Sequence, residues 1–425
     1  MVTFQLPYGR RDLPLTLPDN LDVSWVAPRE LPAASAPLAV VAAALDAPMG
    51  EVCLADFADA RSVVIAINDK TRPVPHQHLL PPLLSRLEAL GIPPQAITLL
   101  LATGMHAPMR PDEFDAVVPP EILARYTVIS HDYQDAAGLV HLGETPYGTP
   151  VWINRRFCEA DVRIVVGNIE PHQFAGFSGG VKTAAIGLAG KATINANHAM
   201  LRDPRARPGE LADNPVRADI EALGRMIGVH FALNAVLNGH KEIIAAFAGE
   251  PSAVLRAGVP LAKQLYVTPI AAPYDLVIAT PGGHPKDINF YQAQKALAHA
   301  SLAAREGGGV ILVAACPEGV GSAHYQDWMT PEVNSYAAVF EKFEQEGFHV
   351  GPHKALMIAR DAQRLRGVWL VSQLPPMVVK SLLLTPVAGL SQALALALPG
   401  LPPGGRIGIL PAANATVPQL HSPPK

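Results

Sequence analysis

With 425 residues, 49 % of them hydrophobic, the chain has length for two domains or more and apolar material for cores of ordinary size. A formal net charge of −4, with no block of like charges, excludes the electrostatic footprint of a nucleic-acid binder and points to small substrates. The three cysteines, Cys53, Cys158 and Cys316, are odd in number and outside any CxxC spacing, which argues against a disulfide framework or zinc ribbon and fits a reducing cytoplasm.

In chain order, the opening stretch MVTFQLPYGRRDLPL carries charge and proline where a secretion signal needs an apolar run. Five short apolar runs then lead into polar or glycine-rich loops. RSVVIAI (Arg61–Ile67) precedes NDKTRP, AITLLLA (Ala96–Ala102) precedes TGMHAP, and VRIVV (Val162–Val166) precedes GNIEPHQF. YDLVIAT (Tyr274–Thr280) precedes PGGHPKDINFYQ, and GVILVAA (Gly309–Ala315) precedes CPEGVG. Near-continuous apolar strands alternating with helical patterns predict parallel sheets covered on both faces, an α/β chain. The proline-containing stretch LYVTPIAAP (Leu265–Pro273) marks a boundary. The expectation is a Rossmann-like α/β domain over 1–267, a second over 268–404, and a tail over 405–425 that returns to the first domain, with its last residues, LHSPPK, frayed. The uncharged run Ser381–Gly405 is broken by Pro386, Gly389, Ser391, Gln392 and Pro399, so no membrane span is expected.

Reactive side chains fall where these strands end. Asp69, Arg72, His106, His172 and Lys182 follow the first three strands; Tyr291, Gln292 and Lys295 follow the fourth. Ligands bind outside the carboxyl ends of strands in open α/β sheets, so the residues are expected to converge on a cleft between the two domains.

The stretch HQFAGFSGGVKTAAIGLAG (His172–Gly190) admits several readings. A phosphate-binding P-loop needs glycine directly before its lysine, where Val181 stands. Gly176 to Gly180 matches G-x-S-x-G, the elbow of a serine hydrolase with Ser178 as nucleophile, although nine residues separate it from the strand. Alternatively, the glycines let a helix pack on a sheet and Lys182 is solvated. His106, His172 and His198 around this loop favour chemistry over packing. A zinc site is disfavoured, since His76 and His78 stand at i,i+2 and no H-E-x-x-H occurs.

NDKTRP, TGMH, HQFAGFSGGVK, NANH, YQAQK and GPHKA occur in that order from Asn68 to Ala355, and this series resembles the motifs of the nickel-pincer lactate racemases and their 2-hydroxy-acid racemase and epimerase relatives. The resemblance implies an isomerase that inverts a 2-hydroxy acid by reversible hydride transfer through a 2-keto acid. Its implied cofactor is a nickel-pincer nucleotide, a pyridinium-3-thioamide-5-thiocarboxylic acid mononucleotide with Ni(II), attached at Lys182 and made by separate biosynthesis enzymes. His198 is the implied metal ligand, and three pincer donors plus one imidazole suit square-planar Ni(II). His106 and His172 are the implied proton-transfer pair. Arg72 and Lys295 bind the substrate carboxylate, with Tyr291 and Gln292 beside them. Asp69 holds the cofactor or orients the first histidine. Gly176, Ser178, Gly179 and Gly180 border the cofactor, the glycines removing bulk near the lysine, and amides at Thr103 and Gly104 are expected to take its phosphate. Phe174 shapes the pocket or packs the core. Other outcomes are a Ser178 hydrolase or a non-catalytic hydroxy-acid binder.

Overall fold

All five apolar runs form strands in the computed structural model, which describes residues 1–420. The expectation about the last residues, 421–425, lies outside the described residues. Two compact units result, Glu30–Leu265 and a second made of Met1–Arg29 with Tyr266 onward.

In the Glu30–Leu265 unit the six-stranded sheet runs, in spatial order, Ile243–Gly249, Phe231–Leu237, Val162–Asn168, Val63–Asn68, Ile97–Ala102 and Thr127–Ser130. All neighbours are parallel except the Ile243–Gly249 edge strand. Ile65, Leu99, Ile164 and Leu233 are fully buried on one face, against helix His76–Ala89 and its Leu79, Leu83 and Leu87. The first strand of the sheet, Val63–Asn68, is followed in the chain by neighbours on one side and later by neighbours on the other. The order therefore reverses between Val63–Asn68 and Val162–Asn168, and the crevice at such a switch point is where open α/β sheets bind ligands.

The second unit carries the all-parallel order Thr385–Val387, Gly367–Val371, Ala304–Val313, Tyr274–Ala279, Arg406–Leu410 and Asp22–Trp25. A hairpin, Val2–Tyr8 with Arg11–Leu17, adds Leu6, Leu15 and Leu17 to its core. Two expectations are corrected here. Residues 1–29 do not join the first domain, because Asp22–Trp25 pairs with Arg406–Leu410. Nor does residue 405 begin a tail, because Arg406–Leu410 is an internal strand between Tyr274–Ala279 and Asp22–Trp25. No helix among the described residues is long and apolar enough to cross a membrane.

His76, expected only as half of an unsuitable metal pair, is a core residue, 1 % exposed, with Nδ1 against the Val117 carbonyl at 3.2 Å. Burial pushes its imidazole down to about 4. The unfolded chain binds this proton below about 6.5 and the folded chain does not until about 4, so stability should fall as pH drops through that window, by about 3 kcal/mol for this group. Urea midpoints of the cofactor-free protein between pH 7 and 4.5 should show it, and His76→Leu should make the slope shallower by this group's share, the buried His198 still contributing. An unchanged slope in that variant would assign the acid sensitivity to other groups.

Candidate active site

Loops leaving the two strands at the switch point, and the neighbouring strand Ile97–Ala102, carry the predicted residues of the Glu30–Leu265 unit. Asp69 directly follows Val63–Asn68 and is 3 % exposed. Its Oδ1 accepts the Thr71 N–H (3.1 Å) and the Thr71 hydroxyl (2.7 Å), which locks the carboxylate across the turn. Its Oδ2 lies 2.7 Å from His106 Nδ1. Burial works to raise the Asp69 carboxyl, but the bonds from His106 and Thr71 and the charges of His106 and Arg72 outweigh it and hold it below the usual carboxylate range. An ionised Asp69 makes His106 Nδ1 the donor and leaves the lone pair on Nε2. A base oriented by a buried carboxylate results.

His172 is arranged the other way round. The Ala175 N–H donates to its Nδ1 at 3.2 Å, so the ring carries its hydrogen on Nε2. The two imidazoles thus rest in opposite tautomers. Phe174, 5 % exposed, stands edge-on to both His172 (centroids 4.8 Å) and His198 (4.9 Å). It packs between the two rings as a buried side chain, which agrees with the core-packing reading of this position.

His198 sits in helix Lys191–Ala199, the helical stretch that the sequence pattern suggested. Burial first, then the charges of Lys182 and Arg72, push its imidazole down to about 3, so it is neutral at any working pH. Lys182 opens the short helix Lys182–Ala185. Burial, with Arg72 and Arg217 adding to it and Glu170 opposing, lowers its amine to about 7. The solvated-lysine reading of this loop does not hold.

The packing reading of the glycines is supported directly at two of them. A Cβ on Gly176 would stand 1.9 Å from the Glu210 carbonyl oxygen, and Gly176 has φ +73°. A Cβ on Gly179 would stand 2.6 Å from Ile169 Cγ1. These contacts are with the protein's own backbone and core, so the glycines shape the loop. Gly180 donates its N–H to Asn234 Oδ1 at 2.7 Å. Ser178 spends its hydroxyl on the turn, donating to the Asn168 carbonyl (2.8 Å) and accepting the Glu170 N–H (3.0 Å). Among the described residues no imidazole hydrogen-bonds it, which removes the geometry of a serine nucleophile. Gly104 likewise gives its N–H to the Gly187 carbonyl at 2.9 Å, and the turn continues into an extended loop. The helix terminus expected to cradle a phosphate at Thr103 and Gly104 is absent; the Thr103 hydroxyl donates to the His131 carbonyl at 2.9 Å.

In the other unit, Tyr291, Gln292 and Lys295 share one face of helix Phe290–Ala303 through i,i+3 and i,i+4 spacing. Asn289 caps that helix, its Oδ1 accepting the Gln292 N–H at 3.0 Å. Lys295 Nζ donates to Gln292 Oε1 at 2.7 Å, and Lys354 Nζ lies 5.1 Å over the Tyr291 ring.

Sequence reasoning missed Arg217, Asn197 and Asp219. Arg217, 2 % exposed, donates to the Phe177 and Gly179 carbonyls (both 3.2 Å) and pairs with Glu221, holding the glycine loop from beneath. The available signal was a charge on an apolar stripe. Helix Pro215–Ile227 buries Val216, Ile220, Leu223 and Ile227, and Asp219 falls among them.

Residues 8–209 match the model of the lactate racemase N-terminal domain and residues 270–413 that of the lactate racemase C-terminal domain. The lactate racemase of Lactiplantibacillus plantarum is 35 % identical over 329 residues, 76 % of each chain. That of Thermoanaerobacterium thermosaccharolyticum is 28 % identical over 419 residues, 97 % of this chain and 98 % of its own. The structure of the latter's apoprotein superposes with a TM-score of 0.90, covering 98 % of this chain and 100 % of that one. A Thermotoga maritima protein shares the fold at 20 % identity and a TM-score of 0.63, covering 91 % of this chain and 97 % of its own. Likeness in sequence and fold that runs through both units, with the motifs in order at the strand ends, has one outcome: the chain belongs to the lactate racemase family and is an isomerase.

Proposed function

We propose that the chain racemises lactate or a close 2-hydroxy acid in the cytoplasm, using a nickel-pincer nucleotide attached at Lys182. The observation that supports this most directly is the pair of imidazoles in opposite tautomers together with a lysine whose amine is lowered to about 7, so that a large fraction of it is neutral at neutral pH. A bound pincer supplies a hydride acceptor and donor for the substrate Cα–H, so the substrate passes through its 2-keto acid.

The residues fit that group. Forming a thioamide needs an unprotonated amine, and burial beside Arg72 and Arg217 gives Lys182 one. Ligating nickel needs a neutral imidazole, which His198 is. The phosphate is not assigned to Gly104, whose N–H is already donated.

The chain's own part is proton transfer and orientation. Asp69 keeps His106 Nε2 free of hydrogen, and that atom takes the substrate hydroxyl proton. His172 presents Nε2–H toward the oxygen; for it to act as base on the other enantiomer, its hydrogen moves to Nδ1 and the Ala175 contact opens. Arg72, exposed on the same turn as Asp69, pairs with the carboxylate, with a fork matched to its two oxygens. In the other unit, Tyr291, Gln292 and Lys295 carry a phenol, an amide and an ammonium on one helical face, groups suited to a hydroxy acid's oxygens.

Inversion in D2O tests the reading. Hydrogen carried as hydride does not exchange with solvent, so the product should keep protium at Cα. Extensive deuterium there would mean proton abstraction by exchangeable imidazoles and would overturn the proposal.

A further inference from the structure

We infer that Asn197 and Asp219 are positioning residues for the metal ligand, a buried relay that fixes the tautomer of His198 and presents its Nε2 to nickel. This rests on the reading of His198 as ligand. Both residues are fully buried. Asp219 takes hydrogen bonds on both carboxylate oxygens: Oδ1 from the Thr145 hydroxyl (2.5 Å), Oδ2 from the Thr149 hydroxyl (2.9 Å) and from Asn197 Nδ2 (2.8 Å). The Thr145 oxygen also accepts the N–H groups of Tyr147 and Thr149, so its own hydrogen is committed to Asp219.

The amide orientation of Asn197 follows from its partners. Nδ2 donates to Asp219 and to the Val216 carbonyl at 3.1 Å, both acceptors with no hydrogen to give. Oδ1 therefore faces His198 Nδ1, 2.9 Å away, and can only accept. His198 must carry its hydrogen on Nδ1, which puts the lone pair on Nε2. Phe174, edge-on to the same ring, restrains its rotation. A buried carboxylate is costly to keep merely for packing. Here it orders an amide that orders a ligand, the arrangement by which outer partners fix ring orientation and raise ligand basicity.

Two measurements test the relay. In cofactor-free protein labelled with 15N-histidine, long-range 1H–15N spectra should show His198 protonated on Nδ1, the signal being identified by its loss in His198→Gln. Asn197→Ala should shift His198 toward the Nε2–H form or a mixture. In protein loaded by co-expression with the cofactor-building enzymes, Asn197→Ala and Asp219→Asn should lose nickel to EDTA about 10–100-fold faster than wild type. The mass adduct at Lys182 should remain. If either variant fails to fold, Thr149→Val, which removes one of the three donors to Asp219, should move both readouts the same way by less. An Nε2–H His198 in the wild type, or variants that keep both tautomer and nickel, would overturn the relay. The ligand reading is tested separately: if His198→Ala holds nickel as wild type does, that reading falls and the relay with it. If His198→Ala loses nickel and the relay variants do not, only the relay falls.

Discussion

Lys182→Ala should abolish racemisation and leave a chain with no mass adduct, even when the cofactor-building enzymes are co-expressed. The argument starts from acid–base state. At pH 8 an amine with a pKa near 7 is mostly neutral, whereas an ordinary lysine is almost wholly protonated, a difference in neutral fraction of about 300-fold. Cofactor-free wild type should therefore contain one lysine that an amine-reactive reagent labels ahead of the rest, located by peptide mapping at Lys182 and missing from the variant. Lys182→Arg should behave like alanine, since a guanidinium is never a neutral nucleophile. An adduct of unchanged mass in Lys182→Ala would place the attachment elsewhere.

Asp69→Asn should cost about 10²–10⁴ in kcat while leaving adduct and nickel content intact, the span expected for losing a positioned base. The turn dictates how the new amide sits. Two donors from Thr71 point at the Oδ1 position, so the carbonyl stays there and the NH2 falls opposite His106 Nδ1. That amide donates where the carboxylate accepted, which moves the imidazole hydrogen to Nε2 and removes the lone pair needed for the substrate hydroxyl. Both directions of inversion should slow together, because one turnover in either direction uses both histidines. Loss of the adduct or of nickel, with kcat per loaded molecule unchanged, would instead make Asp69 a cofactor-holding residue.

Much of this was legible in the sequence because the information is local. Val63–Asn68 and Ile97–Ala102 are apolar over nearly their whole length, which only a strand covered on both faces tolerates, and Asp69 and His106 follow them within a few residues. What stayed hidden is non-local. Nothing around Gly176 says that the Glu210 carbonyl will press against it, so the packing demand on this loop cannot be read from its own residues. Gly104 reads locally as an anion cradle, but its N–H is held by the Gly187 carbonyl, 83 residues away in the chain. The Asn197–Asp219 contact spans 22 residues, and only the misplaced charge on an apolar helical stripe hints at it.

The pairing of Asp22–Trp25 with Arg406–Leu410 also has a consequence for biogenesis. Residues Glu30–Leu265 emerge from the ribosome as one uninterrupted stretch that holds every strand of its own sheet, and they can fold while synthesis continues. The other sheet cannot. Its strand Asp22–Trp25 is made before that stretch and waits for a neighbour nearly 400 residues later, roughly 20–80 s at ordinary elongation rates. During that interval the hairpin Val2–Tyr8 with Arg11–Leu17 has its apolar face made and no core to bury it in. Chaperone dependence during expression should therefore track this half of the molecule, and a permuted chain that begins at Tyr266 and carries residues 1–29 directly after residue 420 would shorten the wait to tens of residues.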